Sequence, residues 1–149
     1  MGRRSARPSS DAYETRGLKT PTVIPTVILD AGALIAIERG DPLARQYVLL
    51  AAKGAVAIAT SSGVVAQVWR GGARQARLAR LLRSDVLDEL ALDAFASRRI
   101  GALAAATGAT DVVDGHVALM AADRQAIAVT SDPNHLVAWG MNRERLVTC

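Results

Sequence analysis

The chain reads as an α/β protein, a three-layer α/β/α sandwich around a mainly parallel sheet, and three features predict it. Short runs of branched apolar residues alternate with longer stretches of helical period, the pattern of successive βα units. Those runs are continuously apolar rather than alternating, as strands covered on both faces are. The composition fits such a core: half of the residues are hydrophobic and only 3% are aromatic, so packing falls to Ala, Val, Leu and Ile. A length of 149 residues has room for one domain of this kind.

Residues 1–24 are mostly Arg, Ser, Thr, Pro and Gly without an apolar period, and read as a flexible tail before a domain at residues 25–149. Val27-Ile28-Leu29 forms the first strand, and after Asp30 the stretch Ala33–Ile37 is helical. Asp41-Pro42 pairs an N-cap with proline at the first helical position, opening a helix that runs to about Lys53 and stops at Gly54. Ala55–Ala59 is the second strand, and Thr60 or Ser61 caps a short helix over Val64–Arg70. Gly71-Gly72 breaks it before a helix at Ala73–Arg83, on which Leu78, Leu81 and Leu82 share a face while Arg77, Arg80 and Arg83 point elsewhere. A strand at Val86–Leu92, helices at Phe95–Ala106 and Val112–Ala122, a strand at Ala126–Thr130, a short helix at Pro133–Trp139 and a strand at Arg145–Thr148 complete the order.

Several function classes drop out. No apolar run is long enough to span a bilayer, because Asp30, Glu38 and Lys53 interrupt the candidates, and Asp11 and Glu14 break any export signal. The only cysteine is Cys149, so neither an intrachain disulfide nor a Cys-rich zinc site can form, and a reducing cytoplasm is the expected setting. The 18 basic residues, nearly all arginine, exceed the 14 acidic ones and favour a polyanionic partner. The scarcity of aromatics argues against RNA modules built on ring platforms.

Chemistry in open parallel sheets gathers beyond the carboxyl ends of the strands. The polar residues there are Asp30 after the first strand, Asp132 after the fourth, and Asp111 and Asp114 at the start of the preceding helix. Three carboxylates about 5 Å apart would repel by roughly 3 kcal/mol per pair at an effective dielectric near 20, which calls for a cation. Mg²⁺ or Mn²⁺ suits an all-oxygen set and completes its shell with water and phosphate oxygens. Asp30, Asp111 and Asp132 also have a plainer role as helix caps, Asp111 above all, and Asp114 one as an acid favoured by the helix dipole.

The strings Val27-Ile28-Leu29-Asp30-Ala31-Gly32-Ala33-Leu34-Ile35-Ala36, Ala66-Gln67-Val68-Trp69-Arg70, Asp111-Val112-Val113-Asp114-Gly115-His116-Val117-Ala118-Leu119 and Thr130-Ser131-Asp132-Pro133 resemble PIN-domain ribonucleases, especially VapC-type toxins of bacterial toxin–antitoxin pairs. The likeness spans about residues 26–149 and rests on the order and spacing of the strings together. It implies an endoribonuclease dependent on Mg²⁺ or Mn²⁺, an RNA substrate and a cognate antitoxin, and leaves a homodimer open. By motif position Asp30, Asp114 and Asp132 match the acidic ligands. Gln67 stands where the family usually has an acid; its amide oxygen can orient a water but brings no charge, and Asp111 could compensate.

Arg70, Arg77, Arg80 and Arg83 could contact RNA phosphates or an acidic partner, or form a solvated helix face. His116 and His135 are too few for a histidine metal site and read as surface or supporting groups, and Trp69 and Trp139 as packing residues. A second functional reading keeps the fold without turnover: a domain that binds a partner or RNA, its carboxylates serving as caps. A nucleotide-binding or receiver domain is weaker, because no G-x-G-x-x-G or P-loop follows the first strand.

Overall fold

A computed structural model describes residues 23–149. Most of the expected tail, residues 1–24, lies outside the described residues; Val23 and Ile24 are exposed. Five parallel strands, β1 (Thr26–Leu29), β2 (Ala57–Ser61), β3 (Leu87–Leu90), β4 (Ile127–Thr130) and β5 (Leu146–Thr148), lie in the order β3-β2-β1-β4-β5. Helices α1 (Ala31–Arg39), α2 (Pro42–Ala52), α3 (Ser62–Val68) and α4 (Ala76–Arg83) connect β1 to β3, and α5 (Ala94–Thr107), α6 (Val112–Arg124) and α7 (Pro133–Ala138) belong to the return. Right-handed crossovers put the two sets on opposite faces, giving the three-layer α/β/α sandwich.

The central strand β1 (TVIL) pairs with β2 and β4, and Val27, Ile28 and Leu29 are buried. Leu34 and Ile37 of α1 cover one face, and Val117, Met120 and Ala121 of α6 belong to the same core. Ala96, Ile100, Ala118 and Trp139 form a smaller cluster. Trp139 lies so close to Gly115 that a Cβ there would sit 2.7 Å from the ring, so α6 needs glycine at this position.

The expected elements are present, with shifted ends. The second strand begins at Ala57 rather than Ala55 and runs through Thr60 and Ser61. Both hydroxyls can be buried because each has a partner: Thr60 Oγ1 donates to the Leu29 carbonyl at 2.7 Å, and Ser61 Oγ meets His116 Nδ1 at 2.6 Å. The cap of α3 is Ser61, whose Oγ accepts the Gly63 N–H. The helix ends at Val68 rather than Arg70, since the buried Gln75 takes both the Arg70 and Gly71 N–H groups on Oε1 and donates to the Val68 carbonyl. The following helix opens with a 3₁₀ turn at Ala73–Gln75. The edge strand β3 is shorter than Val86–Leu92, with Asp88 and Glu89 exposed on it.

Candidate active site

The chain leaves β1 for β2 and β3, then crosses back to β4 on the other side of β1. A crevice therefore opens beyond the carboxyl ends of β1 and β4, the position at which such sheets bind ligands. Asp30 follows β1 directly and Asp132 follows β4 by two residues. The start of α6 brings Asp111 and Asp114 to the same end.

Asp30 is only 7% exposed, and each of its oxygens accepts one hydrogen bond. Its Oδ1 accepts the Ala31 N–H at 2.8 Å, capping α1, and its Oδ2 accepts the Thr130 hydroxyl at 2.8 Å. Thr130 Oγ1 in turn accepts the Asp132 N–H at 3.2 Å. One threonine thus couples the two strand ends. The Cα of Gly32 comes so near the Ser131 backbone that an added Cβ would lie 2.7 Å from its nitrogen, which lets the first turn of α1 sit against the β4–α7 connection.

The Asp114 side chain is 14% exposed and its carboxyl is pushed up to about 6, first by burial and then by Asp111, Asp30 and Asp132, with His135 opposing. Asp111 Oδ1 caps α6, accepting the Val113 and Asp114 N–H groups at 3.0 Å. Asp132 occupies the N-cap position of α7 but makes no capping hydrogen bond, and half of its side chain is exposed. His135, on the first turn of α7, lies between the acids: Nε2 is 3.3 Å from Asp132 Oδ2 and Nδ1 is 3.7 Å from Asp114 Oδ2.

The donor chemistry fits a hard divalent cation, because these oxygens share one field and repel one another without it. Among the described residues no three His, Cys, Asp or Glu side chains form a ready-made cage. Mg²⁺ and Mn²⁺ do not require one, since two carboxylates with waters and substrate oxygens can complete the shell.

A family model described as PIN domain matches residues 27–138. The chain belongs to the PIN domain family. This PIN domain is also similar in fold to the crystal structure of VapBC2 from Rickettsia felis bound to a DNA fragment from their promoter, with a TM-score of 0.55 and 18% identity over 83% of this chain and 96% of that one. No curated protein is significantly similar in sequence.

Other residues singled out from the sequence fall elsewhere on this PIN domain. Gln67 is exposed on α3, one turn after Gly63, which packs against Val113 of α6. Arg70 folds back onto the end of its own helix, donating to the Ala66 and Trp69 carbonyls. Arg77 donates to the Glu38 carbonyl at the end of α1, and Arg80 and Arg83 are exposed on the last turns of α4. One expectation is narrowed and one corrected. Of the two roles open to His116, burial removes the surface one: it is 3% exposed, and burial pushes its pKa down. Trp69 is 39% exposed rather than packed, because the chain turns out of α3 at that residue. From the sequence Ser61 is expected only as a helix cap and Thr130 only as part of a motif string, with no role at the site assigned to either. Their only sequence signal is a hydroxyl at the end of an apolar strand.

Proposed function

We propose that this PIN domain is a metal-dependent endoribonuclease, the toxin of a VapBC-type toxin–antitoxin pair acting in the cytoplasm. The observation that carries the reading is the convergence of Asp30, Asp111, Asp114 and Asp132 at the β1/β4 crevice, with Asp114 raised by its neighbours. Asp30 and Asp114 would hold Mg²⁺ or Mn²⁺, with Asp132 and Asp111 beside them. Bound there, the cation would supply charge stabilisation for a phosphodiester and activated water.

The protein's own contribution is orientation. Thr130 and the Ala31 N–H fix both oxygens of Asp30, so this carboxylate presents a constant geometry. Asp114 holds a proton up to about pH 6 and gives it up readily when positive charge arrives. Asp132, free of capping duty, can reach the same centre. For the antitoxin, support comes from a groove of about 470 Å³ with Ile37, Leu49 and Leu81 in its lining and Arg45, Arg77 and Arg80 along it, suited to an apolar segment bearing acids.

Incubation of the purified chain with single-stranded RNA should give cleavage in Mg²⁺ or Mn²⁺ and none in EDTA, and Asp30→Asn and Asp114→Asn should each remove most of it. Cleavage persisting in excess chelator would exclude the metal-dependent reading. A chain that binds RNA without cutting it under any divalent cation would favour the non-catalytic alternative.

A further inference from the structure

A cleft of about 310 Å³ opens beside the carboxylates, and Asp114 is part of its wall. The rest of the lining comes from the α5–α6 connection at Gly108, Ala109, Thr110 and Asp111, from His135 and Ala138 on α7, and from Trp139 just after it, which is itself buried. Its volume is at the lower end of small-molecule sites and too small for a folded partner.

His135 gives the cleft its chemistry. Both ring nitrogens are turned toward carboxylates, yet the side chain is 66% exposed. With both nitrogens near carboxylates and two thirds of the side chain exposed, the ring is accessible to a ligand. A ring face held on a helix is a stacking platform, and an unpaired RNA base is the group that uses one beside a phosphodiester site. Ala138 lies three residues further along α7, on the same side of the helix, and its short side chain leaves the space open. The loop in the same lining has one free donor: the Gly108 and Ala109 N–H groups are taken by the Ala104 carbonyl and Thr107 Oγ1, while the Thr110 N–H makes no hydrogen bond among the described residues. Such a donor reads a base edge.

We infer that this cleft is the base-recognition subsite of the enzyme, taking one unstacked nucleobase of single-stranded RNA next to the scissile phosphate, with His135 as the stacking face and the Gly108–Thr110 loop reading the base edge. The inference rests on the nuclease reading for its place in the reaction, but nucleobase binding itself can be measured without cleavage.

Two measurements on the full chain test it. In the first, adenosine, guanosine, cytidine and uridine are titrated without metal while amide and His135 ring resonances are followed by NMR. Shifts should centre on Gly108–Asp111 and His135, and one nucleoside should bind at least about tenfold more tightly than the weakest. His135→Ala should weaken that binding about tenfold, the usual weight of one base–ring stack, and Ala138→Phe should block it by filling the cleft. Both positions are exposed, so circular dichroism should show the variants folded. In the second, a randomised single-stranded RNA is cut in Mn²⁺ and its ends are sequenced; the wild-type chain should prefer one base at a single position beside the cut, and His135→Ala should flatten that preference. Shifts that map elsewhere, or nucleoside affinities unchanged in both variants, would overturn the subsite. Cleavage with a base preference indifferent to His135 and Ala138 would also overturn it while leaving the nuclease reading intact. Nucleosides bound at the cleft by a chain that cuts no RNA would uphold the nucleobase site and sink the nuclease reading instead.

Discussion

Replacing Asp114 by Asn should make the metal-free protein more stable at neutral pH. Its carboxyl is raised from an ordinary 3.8 to about 6, chiefly by burial and then by Asp111, Asp30 and Asp132. At 1.36 kcal/mol for each pH unit, ionised Asp114 withholds about 3 kcal/mol of folding free energy. The native state binds the extra proton between about pH 4 and pH 6, so this stability is present in acid, falls as pH rises through that window, and stays lost above it. Asparagine never ionises, so the gain should grow from about pH 4 and be complete above about pH 6. Loss of the His135 contact subtracts less than about 1 kcal/mol, leaving roughly 2 kcal/mol at pH 7.5 and little at pH 4. In Tm that is about 6 °C for a domain of this size. Urea denaturation in EDTA at the two pH values measures it. A variant no more stable than wild type at pH 7.5, or stabilised equally at both, would refute the argument that crowded, desolvated carboxylates strain the site.

Thr130→Val removes the donor to Asp30 Oδ2 and the acceptor for the Asp132 N–H, and should cost about 1–3 kcal/mol in thermal or chemical denaturation while weakening Mn²⁺ binding. Gly115→Ala drives a methyl against the Trp139 ring and should cost about 1–3 kcal/mol, with a change in Trp fluorescence reporting the displaced indole. Gln67→Glu adds a charge on α3 near the start of α6, and calorimetric Mn²⁺ titration should show roughly fivefold tighter binding, about 1 kcal/mol; an unchanged affinity would place Gln67 outside the site.

Much of the molecule is legible in its sequence, because those parts depend on near neighbours. The runs Val27–Leu29 and Ala126–Thr130 announce buried strands by composition, and Asp41-Pro42 and Asp111 announce helix starts by capping chemistry, which needs only an N–H two or three residues on. Asp30 and Asp132 stand out as acids just past apolar runs. Tertiary structure alone decided the rest. The order β3-β2-β1-β4-β5 makes β1 and β4 neighbours, which brings Thr130 to Asp30 across 100 residues of sequence. Asp132 has the same Asp-Pro pattern as Asp41, yet makes no cap hydrogen bond and lies beside His135 instead. His116 sits near the middle of a helix whose sequence does not say which side is covered, and only packing against β2 turns it inward to Ser61. Local propensity and capping act over a single turn of chain, whereas strand order and helix packing are set by burying the whole apolar surface at once, and the charges that share the crevice are gathered by that second process.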